Sequence, residues 1–319
     1  MDLVLNEYEF VIEEEYIGQR IDKVLAAVFP NYTRSYLQKI VKDGSVLVNQ
    51  RTIKVNYQMK VEDCISMTIP DAVLPEIVAE DIPLDILYED DNLIVVNKPK
   101  NMVVHPAPGH YKGTLVNAIM YHCKGNLSGI NGVLRPGIVH RIDKDTTGSL
   151  LVCKNDFAHQ CIAKQLKDHT IKRKYRAIVY GNVKESSGTI CAPIARHKND
   201  RKKMAIVTMG GKEAITHYKV LASTPQYSYI ECSLETGRTH QIRVHMASIG
   251  HPLLGDIIYS KRNSPYTLNG QTLHAYSLGF VHPASHEYIE LQAPIPTYFL
   301  QLLVKTGLTA QDIGEISSN

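Results

Sequence analysis

Long apolar runs are missing from this chain of 319 residues: stretches such as 93–97 and 150–153 fall far short of the roughly 18–20 residues that span a bilayer. No membrane span is expected. The N-terminus, MDLVLNEYEFVIEEEY, carries acids where a secretory signal carries Lys or Arg before an apolar core, which predicts a cytoplasmic protein. The six cysteines, at 64, 123, 153, 161, 191 and 232, are never spaced by the two to four residues of a zinc knuckle. A disulfide framework does not suit this length and compartment, so all six are read as reduced, mostly small core residues. Neither GxxxxGK[ST] nor GxGxxG occurs, and HExxH is absent, so no phosphate loop or zinc-protease helix is offered. Tryptophan is absent too, but 44% hydrophobic and 21% charged residues suffice for a packed core and exclude disorder. Length alone suggests about two domains.

A net charge of +3 conceals structure along the chain. Residues 1–15 hold six acids and no Lys or Arg, residues 16–60 eight basic and two acidic residues, and residues 61–80 five acids and no base. The remainder carries 27 basic and 19 acidic residues. Two basic regions therefore lie inside a near-neutral chain, the footprint of a polyanionic partner or simply of a solvated surface. Lys172, Arg173, Lys174 and Arg176 surround Tyr175. Arg196, Lys198, Arg201, Lys202 and Lys203 form a second run between APIA and KMAIV, which reads as a projecting basic hairpin able to grip a backbone.

The first segment reads as helix, helix, strand. Apolar residues at 21, 24, 25, 28 and 29 share a helical face that Pro30 ends, and Thr33 caps a second helix over 34–42. That helix is expected to bury Tyr36, Leu37, Ile40 and Val41 and to leave Arg34, Lys39 and Lys42 free for ligand. Asp43-Gly44 makes a turn before the short strand SVLVN. In order, these features resemble the RNA-binding module named after ribosomal protein S-four, which is placed at residues 12–75. Residues 71–86 are acidic with two prolines and no clear period, and the linker is placed at 76–87. Beyond it LIVVNK, SLLVCK, KYRAIVYG, AITHYKVL and YSYIECSLE fit short strands, with helices at 156–168 and 239–249 between them. The fold class is α+β: a small α/β module, then a mixed, mainly antiparallel β domain with flanking helices at 88–305, and a tail at 306–319.

Two segments carry chemistry. HRIDKDTTGSLLVCK (140–154) puts His140, Arg141, Asp143 and Asp145 on a polar turn before a buried strand, where rigid scaffolds present catalysts. LETGRTHQIRVH (234–245) reads as strand, glycine turn and helix, with Thr239 as N-cap, Ile242, His245, Met246 and Ile249 inward, and Gln241 and Arg243 on other sides. A metallohydrolase could use His140, Asp143 and Asp145, but the dense arginine argues against a dication. The alternative is acid, base or nucleophilic work by one carboxylate that a paired arginine aims, as base chemistry on nucleic acid requires. His105, His110, His140, His240 and His245 also fall in these blocks, and helix packing and turn hydrogen bonds explain them more economically than a metal. Lys98 and Pro99 read as the floor of the cleft.

The second part closely resembles the pseudouridine synthases of large-subunit ribosomal RNA, and with the first module most resembles their synthase D subgroup. The family hallmark HRLDxxTSGLLLxAK matches residues 140–154, departing mildly at Ile142, Thr147 and Ser149; further blocks match at 88–106, 172–181 and 234–259. The resemblance spans about residues 12–300. It implies isomerisation of uridine to pseudouridine without metal or cofactor. Asp143 would be the catalytic aspartate, Tyr175 would stack on the uracil and Arg243 would pair with Asp143. Arg141 would replace the flipped nucleotide in the stack, since extruding a base costs a few kcal/mol. Arg34, Lys39, Lys42, Arg173, Arg201, Lys202 and Arg238 are the further RNA-binding candidates. The expected partner is large-subunit ribosomal RNA or a pre-ribosomal particle, met by a monomer. Either Asp143 attacks the sugar or ring, or it removes the 2′ proton; the residues leave both routes open. A catalytically silent RNA-binding or ribosome-assembly factor is the competing class, which the Asp143, Tyr175 and Arg243 set disfavours.

Overall fold

The computed structural model describes residues 5–30, 32–70, 77–106, 110–132 and 135–308. The chain divides into two compact units, Met1–Pro75 and Glu76–Asn319. Strand β1 (Leu5–Val11) opens the first unit, followed by α1 (Ile21–Val28), α2 (Arg34–Lys42), β2 (Val46–Val48), β3 (Arg51–Thr52) and β4 (Cys64–Pro70). The strands form one antiparallel sheet in the order β1-β4-β2-β3. α1 buries Ile21, Val24 and Leu25. The Thr33 hydroxyl caps α2 by accepting the Tyr36 N–H at 3.3 Å, and Leu37, Ile40 and Val41 face the core.

Two expectations need correction here. The module starts before residue 12: Tyr8, Phe10 and Ile12 alternate into its core while Glu7 and Glu9 face outward, a period of two that the run of acids masks. Tyr36 is only half-buried and stacks on Tyr32, with ring centroids 5.6 Å apart.

The second unit runs β5 (Ile86–Glu89), β6 (Leu93–Lys98), α3 (Leu115–His122), β7 (Thr147–Cys153), α4 (Asp156–Lys167), β8 (Lys172–Tyr180) and β9 (Ser187–Cys191). It continues through the hairpin of β10 (Ile194–Arg196) and β11 (Met204–Ile206) to β12 (Ile215–Ser223), β13 (Tyr227–Leu234), α5 (Gln241–Ser248), β14 (Leu273–Val281), β15 (Tyr288–Gln292) and α6 (Thr297–Lys305). Nine strands make one sheet in the order β5-β6-β7-β14-β8-β13-β12-β9, with β15 also on β14. All of its pairings are antiparallel except β7 with β14, so the α+β class stands. Gly148 makes that parallel contact possible: at φ +106° it lies against the Ala275 carbonyl, where a Cβ would collide.

Strand alternation sorts the core. Tyr175, Ala177 and Val179 of β8 face α3 and α5, whereas Ile178 and Tyr180 face α6; α4 packs on Leu93, Val95, Leu151 and Cys153. The predicted linker is less free than its composition suggests. Ile86 and Leu87 belong to or border the core through β5, Ile77 is buried, and the Glu80 N–H bonds the Asn117 carbonyl at 3.0 Å. In the predicted tail, Thr306 donates its hydroxyl to the Leu302 carbonyl at 2.6 Å and Leu308 is buried; residues 309–319 lie outside the described residues. Among the described residues no helix is long and apolar enough to cross a membrane.

Candidate active site

A cavity of about 450 Å³ opens on the α5 face of the sheet, between the 139–146 turn, the end of α4, β8 and the 237–243 segment. Asp143, Tyr175, Arg243, Arg141, Arg173 and Arg238 all line it, although they are scattered over about a hundred residues of sequence. Alternation on β8 explains two of them: Arg173 and Tyr175 share the cavity face, while Arg176 turns away to pair with Glu231 at 3.0 Å and to cover the Tyr276 ring. Lys174 likewise leaves the cluster read around Tyr175, pairing with Glu290 at 3.4 Å. Tyr175 is buried, which raises its phenol pKa above the ordinary value.

Arg243 is the hub. Its Nη1–H donates to Asp143 Oδ2 at 2.9 Å, while Nε and Nη2 form a two-pronged bridge to Asp256 at 2.7 and 2.9 Å. Its side chain is 5% exposed and that of Asp256 is fully buried, and the two carboxylates raise the guanidinium pKa despite burial. Asp256 Oδ1 also accepts the N–H groups of Ile258 and Tyr259, so this carboxylate is saturated. Asp143 is the one acidic side chain lining the cavity among the described residues.

The geometry of α5 differs from its reading. Residues 241–246, Gln241 and Arg243 included, are buried all round, whereas Ile249, expected inward, is exposed. Thr239 is not the N-cap. His240 occupies that place in the left-handed conformation (φ 57°), because the Gln241 amide, not a hydroxyl, organises the turn. Gln241 accepts from the Thr236 hydroxyl and the Arg238 N–H, and donates to the Ile215 carbonyl and Thr216 hydroxyl, all within 3.0 Å.

Lys98 and Pro99, expected at the floor, do not line the cavity, and Lys98 is fully buried. Its Nζ donates to the carbonyls of Pro99, Met102 and Lys144 at 2.8–3.0 Å, so it ties the residue after Asp143 to the end of β6. Burial lowers its pKa to about 7, against the pull of Asp145 and Asp143. His140 accepts the Leu151 N–H on Nε2 at 3.0 Å, and burial with nearby Arg173 lowers its pKa to about 3. His245 bridges Thr216 and the Ala192 carbonyl. Among the described residues no three His, Cys, Asp or Glu converge as a metal site.

The other three lining arginines differ from Arg243 in their pairing. Among the described residues no carboxylate pairs with Arg141, Arg173 or Arg238. Arg173 is buried with its Nε unbonded and its Nη2 on the Glu235 carbonyl at 2.9 Å. Arg201 and Lys202 do not line the cavity; they are exposed in the loop joining β10 to β11, the hairpin expected from sequence. In the first unit Lys39 and Lys42 are exposed, but Arg34 is not free. It bonds the fully buried Asp22 at 2.7 Å, together with Arg20 and Gln38. Sequence reasoning missed Asp256, Tyr259, Lys167 and His169 around the site; the first two lie in the matched GDIIY stretch, and the last two gave no signal.

A family model described as RNA pseudouridylate synthase matches residues 92–248, and one for the S4 domain matches residues 19–65. Over 299 residues the chain is 50% identical to an uncharacterized RNA pseudouridine synthase of Bacillus subtilis (strain 168), covering 94% of this chain and 98% of that one. Over 307 residues it is 47% identical to a protein of Zymomonas mobilis named ribosomal large subunit pseudouridine synthase D, covering 93% and 96%. The solved structure of human RNA pseudouridylate synthase domain containing 4 superposes with a TM-score of 0.55 at 26% identity, over 70% of this chain and 93% of that one. Identity near one half along almost the full length of both partners leaves no room for another family: the chain belongs to the RNA pseudouridine synthases, enzymes that isomerise uridine within RNA.

Proposed function

We propose that the chain isomerises uridines of large-subunit ribosomal RNA, free or in a pre-ribosomal particle, with Asp143 as the reacting carboxylate. The observation that carries this reading is a single acid, aimed by Arg243, in a cavity otherwise walled by arginines without acidic partners. A polyanion supplies what those arginines lack. The reaction breaks the bond from C1′ to N1, turns the base, joins C1′ to C5, and moves one proton from C5 to N1 in net balance. Any nucleophile or base it needs on the enzyme falls to Asp143, at the sugar, the ring or the 2′ proton.

The flipped uracil stacks on Tyr175, whose buried ring forms the cavity floor. Arg141, exposed at the rim, takes the vacated place in the stack, where a planar guanidinium offsets part of the unstacking cost. Arg173 and Arg238 hold backbone phosphates beside the cavity; Arg201 and Lys202 on the hairpin, and Lys39 and Lys42 on the S-four module, extend the grip, whereas Arg34 is taken up by Asp22. The enzyme works as a cytoplasmic monomer without metal or cofactor. Asp143→Asn tests the assignment: it should abolish tritium release from RNA carrying 5-tritiated uridine while leaving RNA affinity within about twofold. Release at the normal rate would remove Asp143 from the chemistry. Carbodiimide mapping of ribosomal RNA from a deletion strain tests the substrate, and an unchanged large-subunit pattern would exclude it.

A further inference from the structure

The segment between α5 and β14 brings one more side chain to the site. The Tyr259 hydroxyl accepts the Met204 N–H of β11 at 2.8 Å and stands 2.8 Å from His240 Nδ1. An amide N–H can only donate, so the phenolic proton remains available for the imidazole. Burial lowers the His240 pKa below the ordinary histidine value, against the pull of Asp143, which favours the neutral ring. A neutral imidazole that accepts on Nδ1 carries its proton on Nε2. That nitrogen lies 3.8 Å from Asp143 Oδ2, the oxygen that already accepts Arg243 Nη1–H at 2.9 Å. The opposite tautomer would set a lone pair against a carboxylate oxygen. At 3.8 Å Nε2 is beyond hydrogen-bond reach, so Arg243 alone bonds Oδ2 while Nε2 faces the same oxygen, and among the described residues no hydrogen bond falls on Oδ1.

The same tyrosine links this arrangement to the hairpin. Its ring stands edge-on to His240 at 5.6 Å and lies 5.2 Å from the Arg243 guanidinium carbon. With Met204 it packs on a small cluster of Ile194, Ala214 and Val244, which joins the base of the hairpin to α5. The hairpin that presents Arg201 and Lys202 and the helix that presents Arg243 therefore share one anchor.

We propose that Tyr259 is a positioning residue that couples the β10–β11 hairpin to the catalytic aspartate: it fixes His240 as the Nε2–H tautomer, which turns an N–H rather than a lone pair towards the Oδ2 that Arg243 holds, so that Oδ1 is the reacting oxygen. This rests on the reading of Asp143 as the reacting carboxylate. Nitrogen-15 NMR of the full chain labelled in histidine, with His240 assigned by its loss in His240→Gln, reads the tautomer directly. The wild type should show a proton on Nε2, and Tyr259→Phe should lose that bias. In activity assays Tyr259→Phe should lower kcat about tenfold with KM for RNA changed less than about twofold. His240→Ala should do the same, and the double variant should be no worse than His240→Ala alone, as expected of residues acting in series. A wild-type proton on Nδ1, an unchanged kcat in Tyr259→Phe, or additive losses would overturn the coupling. Asp143→Asn separates the two readings: if it is inactive while Tyr259→Phe is normal, the coupling alone fails, and if it is active, the underlying assignment fails.

Discussion

Asp256→Ala isolates the energetics that hold the site together. The substitution leaves the Arg243 guanidinium, 5% exposed, with Asp143 as its remaining carboxylate partner, and strips the Ile258 and Tyr259 N–H groups of their acceptor. Removing one partner of a buried ion pair costs about 3–5 kcal/mol, because the other charge stays desolvated. At about 2–4 °C per kcal/mol for a domain of this size, the second unit should melt about 6–20 °C lower. Denaturation followed by hydrogen exchange in peptides from α5 and β14 reports that unit without interference from the first. The control is Asp256→Ala with Arg243→Met, in which a long apolar side chain replaces the stranded charge. This double variant should be more stable than Asp256→Ala alone, since removing both ends of a buried pair is far cheaper than removing one. A loss below about 1 kcal/mol, or a double variant whose cost is the sum of the singles, would falsify the assignment of Asp256 as the counter-charge that fixes Arg243.

Two further outcomes follow from charges elsewhere. Burial pushes the Asp22 pKa up, but hydrogen bonds from Gln38, Arg34 and Arg20 outweigh it and hold the carboxyl at about 2, below its ordinary 3.8. Its contribution to stability is therefore full above about pH 4 and lost as pH falls towards 2, so hydrogen exchange of peptides from α1 and α2 should accelerate across that window in the wild type. Asp22→Asn should remove this acid dependence, and an unchanged acid profile would mean the carboxylate is not the responsible group. On β8, Arg173→Gln should flatten the salt dependence of RNA affinity by about one unit of log–log slope, whereas Arg176→Gln, which breaks the pair with Glu231, should lower stability and leave the slope alone. Equal slopes for the two variants would contradict the alternation that puts them on opposite faces.

How much the sequence disclosed depends on the range over which each residue acts. The two helices of the first module, their turn and VLVN are local patterns, and they formed where periodicity and capping put them. β1 escaped because its alternation is shared with acids, and a reading by charge weighs Glu7 and Glu9 above Tyr8 and Phe10. The motif blocks named Asp143, Tyr175 and Arg243 through resemblance, and the fold brings them into one cavity. Asp256 and Tyr259 act through contacts with Arg243 and His240, so the matched block that contains them does not by itself reveal their roles. The orientation of α5 was misread for a related reason. Thr239 reads locally as the N-cap and Ile249 as inward, but the Gln241 amide, bonded on all four sides, organises the turn, and such long-range pairing leaves no local signal.

Local charge density misled in the same way, and pairing resolves it. The KRKYR run puts four cations around Tyr175, yet Arg176 and Lys174 are answered by Glu231 and Glu290, and only Arg173 turns its guanidinium into the cavity. Arg243 is answered twice, by Asp143 and Asp256, and serves as a fixed post. Arg34 in the first unit is likewise answered, by Asp22. The cations left without acids among the described residues of the cavity wall are Arg141, Lys167, Arg173 and Arg238, and a buried guanidinium such as Arg173 is costly to keep unless something anionic completes it. The arginine that holds the enzyme's own carboxylate is thus distinct from those proposed to meet RNA. That separation lets a polyanion approach within reach of Asp143 without competing for the arginine that aims it.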